Sequence, residues 1–558
     1  MSQTNQKLPT CVIKKNRWKV FRTVLQVIFC LVIVCVVVKT VYFSPTYMES
    51  DKSTWTNKEG FLTLSYVGVS RNDSAYLVSK KKLDEHLGAL HEAGYVTIDI
   101  EDVLNFYNEG TPLPEKALLL IFEDGRKDSF LFAQPILEKY NYKAVMMTYA
   151  YNVINNDRLF LKSRDLEKME KSTYWDIGSN GYRFSYINVT PKDASIEDTD
   201  LDEKFQKNLF EYNHYLMDYL RDQDGIPVES KLEMIDRITW DYDQMNEIYT
   251  EKLTFPVQAY AIMHANSLVN ESMNGAVANV NWQKIYEYFP ILFNREGSCY
   301  NDEKTSIYNL TRMQVGADWS TNKLLMEIKN WTTHDVPYVV GDDESRWDVV
   351  SGVLEANENH LILTTESNSK ALAFLKGSDQ FEDVHVSTYL AGREFGTQSF
   401  YVRYNREQDT YVQLIVENNE LRVIQKKGDG MKETLYEAPL PNFEQLPEYD
   451  DTFDINKIEG SQSDEPTLEG IDLIQQLHRK YKVNASHMMS PVSWNFDVII
   501  EGQSLTVTVG GEVILDSFIL DESVTDGGVA ISSSDASSEV YDGIFDELRI
   551  EPILVEKR

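Results

Sequence analysis

A nearly unbroken apolar run close to the N-terminus constrains this chain more than any other feature of its sequence. The run extends from Thr23 to Phe43 if Lys39 is counted as a snorkelling side chain, and these roughly 21 residues suffice to cross the ~30 Å hydrocarbon core of a bilayer. Basic but no acidic residues precede it. We therefore expect a cytoplasmic tail over residues 1–22 and an uncleaved transmembrane anchor over residues 23–43, with a buried core helix as the alternative.

Charge and cysteine content narrow the function of the exported part. The net charge of the whole chain is −34, and such an acidic surface repels phosphate backbones, so nucleic-acid binding is excluded. Cys299 is the one cysteine after the anchor, so no intrachain disulfide is expected outside the cell. These features favour a single-pass protein of a bacterial cell membrane, particularly a Gram-positive one, with its bulk extracellular.

The first half of the exported chain alternates between strand and helix periods. Leu83, Leu87 and Leu90 line one face of a helix, and Ala117–Phe122 is a continuous apolar run typical of a buried parallel strand. This repetition predicts an α/β domain over residues 55–335. An apolar stripe from Phe205 to Tyr219 and a second amphipathic stretch predict a helical insertion over about 200–250.

The second half changes to short strands at regular intervals, which predicts an all-β sandwich of jelly-roll type over residues 345–555. An acidic stretch over about 444–469 is expected to be an exposed loop. The predicted strands are Leu361–Thr365, Val384–Leu390, Phe400–Tyr404, Tyr411–Val416, Leu421–Gln425, Phe496–Ile500, Leu505–Val509 and Phe545–Ile550.

Two adjacent carboxylates follow one of the apolar strands. Glu123 and Asp124 come directly after Phe122 and are followed by Gly125. Ligands of α/β barrels and sheets gather at the carboxyl ends of the strands, where one acid could move a proton and the other could bind a cation or polarise water. The alternative is a plain Asp-Gly turn.

Residues 61–330 resemble the polysaccharide deacetylase family, which contains the NodB homology domain. The similarity includes Ser65-Tyr66, Ala93-Gly94-Tyr95, Leu113-Pro114 and the sequence Phe122-Glu123-Asp124-Gly125, where the family has Phe-Asp-Asp-Gly. The resemblance implies a distorted β/α barrel. It also implies that Glu123 is the general base and that Asp124 binds a divalent metal, usually zinc.

The resemblance is incomplete at the metal site, which the family completes with two histidines. The corresponding segment here has Asn180 and Phe184 in their places, and phenylalanine cannot bind zinc. His264 ends an apolar strand and could act as a general acid or a replacement ligand, although such a histidine could equally be structural. The implied metal set is therefore Asp124, Asn180 and His264, and the catalytic set is Glu123, Asp124 and His264.

Several other polar residues are candidates for substrate binding. Arg126, Tyr182 and Arg295 are expected to contact a sugar, and Arg295 or Arg312 could instead hold a neighbouring acid. A charge row on one predicted helix is interpreted as a solvated face. Its members are Glu229, Glu233, Arg237 and Asp241.

The sandwich more loosely resembles concanavalin-like lectins and glucanases, which implies glycan binding by aromatic side chains. The strand containing Phe400 and the closing segment from Tyr541 to Leu548 carry this similarity. The candidate aromatic residues, which could equally be core residues, are Tyr389, Tyr401, Tyr404 and Tyr411.

Three functions fit these observations. The first is a membrane-anchored deacetylase-like hydrolase that removes acyl groups from amino sugars of a cell-surface polysaccharide or exopolysaccharide. The second is a catalytically inactive scaffold that holds the polysaccharide near synthase proteins at the membrane. The third is a glycoside hydrolase, which needs two suitably separated acids.

Overall fold

A computed structural model describes residues 18–33, 46–72, 77–123, 125–155, 157–183, 186–188, 212–214, 216–220, 226–261, 274–295, 297–391, 396–417, 420–439, 494–535 and 539–553. Helix α1 covers residues 18–33, and the rest of the anchor predicted over residues 23–43 lies outside the described residues. Within the described ranges, no helix has both the length and the apolar character that a membrane crossing requires.

The first domain is built on one ten-stranded sheet whose neighbouring strands run mainly parallel. Helices cover the outside of this sheet. The strands of the whole domain are β1 (Gly60–Tyr66), β2 (Val69–Ser70), β3 (Val78–Ser79), β4 (Val96–Thr97), β5 (Ala117–Phe122), β6 (Ala144–Tyr149), β7 (Trp175–Gly181), β8 (Tyr186–Asn188), β9 (Tyr212–His214), β10 (Ala259–Ala261), β11 (Ile291–Asn294), β12 (Tyr300–Asp302), β13 (Leu310–Thr311) and β14 (Met313–Gln314). Of these, β2 pairs with β3 and β8 pairs with β9 in two separate two-stranded sheets. The helices are α2 (Lys80–Glu92), α3 (Ile100–Glu109), α4 (Lys127–Tyr140), α5 (Ala150–Ile154), α6 (Ser163–Ser172), α7 (Lys231–Lys252), α8 (Gly275–Tyr288) and α9 (Thr321–Trp331).

The segment from Leu310 to Gln314 closes the sheet into a barrel. Strand β13 pairs with β11, whereas β14, two residues further on, pairs with β1 at the other end of the strand order β1-β5-β6-β7-β10-β11. Arg312 stands between the two short strands. Closure therefore brings Arg312, near the end of this domain, next to β1 at its start.

The alternation of side chains along each strand separates two cores. On β5, Leu118 and Leu120 pack against the helices, whereas Leu119 and Ile121 pack inside the barrel with residues such as Phe293. Both cores are apolar, and the α/β domain predicted from the sequence is confirmed.

The helical insertion predicted for about 200–250 is wrong in part. Residues 212–214 form strand β9, which pairs antiparallel with β8, because the backbone there bonds to another segment of the chain. Residues 201–211 lie outside the described residues. Helix α7 begins after Ser230, whose side chain accepts from Glu233 N in a capping box.

The second domain consists of two seven-stranded antiparallel sheets, and a β-rich C-terminal part is confirmed. Val402 and Leu414 from one sheet and Val498 and Phe545 from the other belong to one core. The strands are β15 (Trp347–Ser351), β16 (Val353–Asn357), β17 (His360–Thr364), β18 (Lys370–Leu375), β19 (Val384–Ala391), β20 (Gly396–Asn405), β21 (Thr410–Glu417), β22 (Glu420–Lys426), β23 (Lys432–Pro439), β24 (Trp494–Glu501), β25 (Ser504–Val509), β26 (Glu512–Ile519), β27 (Gly528–Asp535) and β28 (Asp542–Pro552). The acidic stretch 444–469 lies outside the described residues.

Three of the four tyrosines considered for glycan binding form a small second cluster on this domain. Tyr401 and Tyr411 are buried and pack edge to face at 5.2 Å, with Tyr404 beside them. Lys370 and Lys426 lie over the rings of Tyr401 and Tyr411, respectively. The cluster is thus explained by packing, because its buried rings present little surface to a ligand.

Candidate active site at the carboxyl ends of the barrel strands

The strand alternation places Glu123 on the inner side of the barrel. Glu123 follows β5 in the same phase as Leu119 and Ile121, whose side chains pack inside. Its backbone N–H donates to the carbonyl of Tyr66 at the end of β1, at 2.9 Å. Glu123 thus continues the pairing of β5 with β1 and is held at the carboxyl end of both strands.

The carboxylate of Glu123 forms a two-point ion pair with Arg312. Arg312 Nε donates to Glu123 Oε1 at 2.8 Å, and Arg312 Nη2 donates to Oε2 at 3.1 Å. Both side chains are 0% exposed. This paired geometry fixes the plane of the carboxylate and balances a charge that would otherwise be very unfavourable in the barrel interior.

Neighbouring backbone groups hold the arginine itself. Arg312 Nη1 donates to the carbonyl of Phe293 at 3.2 Å, and Arg312 N donates to the carbonyl of Asn294 at 3.1 Å. Both acceptors lie at the end of β11. These bonds to β11 fix the orientation of the guanidinium toward Glu123. Arg312 itself belongs to the short segment that closes the barrel.

A buried histidine contacts the side chain of Tyr66, the last residue of β1. His86 on α2 lies 3.2 Å from Tyr66 Oη through Nδ1 and 3.2 Å from the carbonyl of Trp319 through Nε2. Burial lowers the pKa of His86 to about 3, with a smaller contribution from Lys82. The ring is therefore neutral, so Nε2–H donates to Trp319 and Nδ1 accepts from Tyr66.

Asn180 occupies one of the two positions at which the related family has a metal-binding histidine. Its side chain is buried, and its Nδ2 donates to the carbonyl of Ala261 at 2.9 Å, which links β7 to β10. The amide nitrogen is thus used within the fold. Asp124, Phe184 and His264 lie outside the described residues.

A metal site is therefore not formed by the described residues alone. Among them, no group of three or more histidine, cysteine, aspartate or glutamate side chains is close enough to bind one ion. Asn180 could offer at most its amide oxygen, a ligand type that suits hard cations better than zinc. Of the zinc set that the family resemblance implies, Asn180 is the member that lies in the described ranges, and its amide is a poor ligand for zinc.

The three residues predicted to bind substrate lie in different surroundings. Arg126 is buried and donates through Nε and Nη2 to Asp128 at 2.9 and 2.7 Å, so its guanidinium is used at the start of α4. Arg295 is exposed just after β11. Tyr182 follows β7 and packs edge to face with Tyr151. Of the three, Arg295 is exposed, whereas Arg126 and Tyr182 are buried.

The charge row on α7 is not the solvated face that its spacing suggested. Arg237 donates to both oxygens of Glu229 at 2.9 and 2.7 Å, with the two side chains 9% and 8% exposed. Asp241 is buried, 3.7 Å from Arg183 Nε. The interpretation is wrong for Glu229, Arg237 and Asp241, which the neighbouring elements cover. It holds for Glu233, which is exposed.

The described α/β domain is similar to polysaccharide deacetylases, and the resemblance inferred from the motifs is confirmed by curated relatives. One relative, from Bacillus subtilis (strain 168), is named "Putative polysaccharide deacetylase YxkH"; it is 26% identical over 177 residues, which are 31% of this chain and 61% of the relative. Another is the poly-beta-1,6-N-acetyl-D-glucosamine N-deacetylase of Escherichia coli (strain K12), 30% identical over 112 residues, which are 19% of this chain and 16% of the relative. The chain thus spans less than two thirds of either relative.

Among solved structures, a de-N-acetylase from Aggregatibacter actinomycetemcomitans superposes with a TM-score of 0.38 and 18% identity, over 49% of this chain and 99% of that one. A TM-score this low adds nothing to the fold that the strand order itself defines. No family model matches the chain.

Proposed function

We propose that this protein is a deacetylase-like hydrolase that removes acyl groups from amino sugars of a cell-surface polysaccharide. The observation that carries the proposal is the Glu123 carboxylate, fixed by Arg312 at the carboxyl ends of β1 and β5. A base in a barrel of this kind is expected at that edge, where substrates reach the ends of several strands. The names of the curated relatives support the same class of substrate.

In this proposal Glu123 is the general base. Water attacks the carbonyl carbon of the acetamido group, and its proton passes to Glu123. The carbon–nitrogen bond then breaks, the amine nitrogen takes the proton, and acetate and a free amino sugar leave. Arg312 keeps the carboxylate in one orientation throughout.

A second candidate is a glycan-binding scaffold without catalysis, which works beside synthase proteins at the membrane. Two observations favour it: the Glu123 side chain is fully buried, and Asn180 stands where the related family has a histidine. A glycosidase is less well supported, because it needs two suitably separated acids and the names of the curated relatives support deacetylation instead.

Acetate release separates the first two candidates. The purified full-length chain is expected to release acetate from a poly-β-1,6-N-acetylglucosamine oligosaccharide, and Glu123→Gln is expected to slow this at least about a hundredfold by removing the base. Glu109→Gln, on the exposed end of α3, is the matched control and should retain full activity. Retention of the glycan on an affinity column with no acetate release by the unaltered chain would favour the scaffold.

The apolar segment 23–43 would tether this activity to the membrane, with the basic tail in the cytoplasm and the two domains outside. The sequence of the segment and its basic flank support this part of the proposal. Membranes from expressing cells should retain the protein through a high-salt wash and release it in detergent. Release by salt alone would argue against the tether.

A further inference from the structure

Three aromatic side chains from three elements meet beside the candidate active site. Tyr151 lies on α5, just after β6, Tyr182 follows β7, and Trp240 lies on α7. The ring of Tyr182 packs edge to face against Tyr151 at 5.9 Å and against Trp240 at 5.5 Å. In addition, Tyr151 N donates to the carbonyl of Tyr182 at 2.9 Å, which fixes two of the three residues relative to one another.

Trp240 is unusually exposed for a tryptophan that belongs to a packed cluster. It is 47% exposed, whereas Tyr182 beneath it is buried. The plane of the Trp240 indole is at 88° to the plane of the Tyr182 ring. Because such an edge-to-face contact covers at most one face of the indole, the other face is left for a ligand. A rigid aromatic surface thus remains open to solvent next to the ends of the barrel strands.

The order of the strands sets the distance between Tyr182 and Glu123. Tyr182 follows β7, which is two strands from β5 in the order β5-β6-β7, and neighbouring strands lie about 4.8 Å apart, so the separation is about 10 Å. A ligand that reaches both places must therefore extend beyond one sugar ring.

The polar groups at this place suit a sugar. The guanidinium of Arg183 lies 5.7 Å from the centre of the Tyr182 ring and its side chain is 28% exposed, so donors stand beside the aromatic surface. Ligand sites typically combine such apolar walls with a few fixed polar groups. The net charge of −34 disfavours a polyanion and favours a neutral polymer or one that carries free amines.

We infer that Tyr151, Tyr182 and Trp240 form an aromatic rim that binds a second sugar of the chain whose acetylated sugar is presented to Glu123. The exposed indole of Trp240 packs against the ring of that sugar, and Arg183 donates to its hydroxyl groups. This inference rests on the proposed function for the class of polymer. It adds that the protein recognises an oligosaccharide rather than a single amino sugar.

Calorimetric titration of the full-length chain with β-1,6-linked N-acetylglucosamine oligosaccharides of one to six residues tests the inference. Affinity should rise with the number of sugars. Trp240→Ala should weaken binding of the hexamer about five- to tenfold, the effect expected for losing one aromatic contact, and leave binding of the single sugar unchanged. Trp240→Phe, which keeps a ring, should retain most of the affinity for the hexamer. Trp331→Ala, at a tryptophan that is 45% exposed on α9, is the matched control and should bind normally.

Several results would overturn the inference: no binding of the hexamer, binding of the hexamer that Trp240→Ala leaves unchanged, or an equal loss in Trp331→Ala. Circular dichroism of each variant shows whether its fold is intact, and Trp240→Phe decides the matter if Trp240→Ala does not fold. Carried out in the Glu123→Gln background, the titration measures binding without hydrolysis. An absence of acetate release by the unaltered chain would thus contradict the proposed reaction but not the proposed binding of sugar by the aromatic rim.

Discussion

Replacing Arg312 with alanine is expected to lower the free energy of unfolding of the α/β domain by about 3 to 5 kcal/mol. The substitution leaves the carboxylate of Glu123 charged, fully buried and without its two-point partner, and breaking one side of a buried ion pair typically has an effect of this size. It also removes the bond from Arg312 Nη1 to the carbonyl of Phe293. Chemical denaturation, followed by tryptophan fluorescence, measures the change.

Two further variants separate the charge from the packing. Replacing both partners, Glu123→Leu with Arg312→Met, should recover most of the lost stability, because a well-packed apolar pair avoids burying charge. Lys81→Ala, which removes an exposed ion pair with Glu85 at 3.7 Å, should change stability by less than about 0.5 kcal/mol. A loss in Arg312→Ala no larger than that of Lys81→Ala would show that the ion pair does not hold the barrel closed.

Replacing Asp241 with asparagine is expected to stabilise the protein at alkaline pH and to have little effect near pH 4. Asp241 is 2% exposed, and burial raises the pKa of its carboxyl to about 7, although Arg183 and Arg237 act in the opposite direction. Because the folded state binds this proton more tightly than the unfolded chain, the stabilisation is complete below about pH 4. It is lost as pH rises through about 7.

The asparagine variant has no such proton to lose. At pH 8.5 it should therefore unfold with a free energy about 2 to 4 kcal/mol higher than the unaltered chain, as a shift of about three pKa units implies at most. Urea unfolding at pH 4.5 and 8.5 measures this difference. Asp236→Asn, at an exposed position of the same helix, should give the same small change at both pH values. An equal effect of Asp241→Asn at both pH values would contradict the account.

The strands of both domains could be predicted because each carries a local signal. Ala117–Phe122 was predicted with the bounds that the structure shows, since it is apolar throughout and buried on both faces. All eight strands predicted in the sandwich overlap observed strands. Strand β23 is rich in polar residues and mostly exposed, so it has no comparable pattern and was not predicted.

The sequence reduced the candidates for the ion-pair partner of Glu123 to two arginines but could not choose between them. Arg312 was one of two arginines considered for holding a neighbouring acid, and 189 positions separate it from Glu123. Its role depends on how the barrel closes, with β13 and β14 joining different neighbours, and two-residue strands give no periodic signal. The contacts of His86 could not be predicted either, because Trp319, whose carbonyl it contacts, is far away in the sequence.

The charge row of α7 shows the opposite difficulty. Helical spacing is the same for a solvated face and for a face that packs against another charged surface. Glu229 and Arg237 are buried because the chain before α7 folds back on them, as the bond from Leu220 N to Glu229 Oε1 at 2.8 Å shows. Periodicity identifies a face but not what covers it.

The position of a bound sugar tests the central claim, that substrate is presented to Glu123, most directly. A crystal structure of the Glu123→Gln variant with a β-1,6-linked N-acetylglucosamine trimer should show one acetamido group near residue 123, within ~3 Å directly or through one water. A second sugar should lie against Trp240. A trimer found only elsewhere, for instance on the sandwich, with the end of β5 closed to it, would contradict the account.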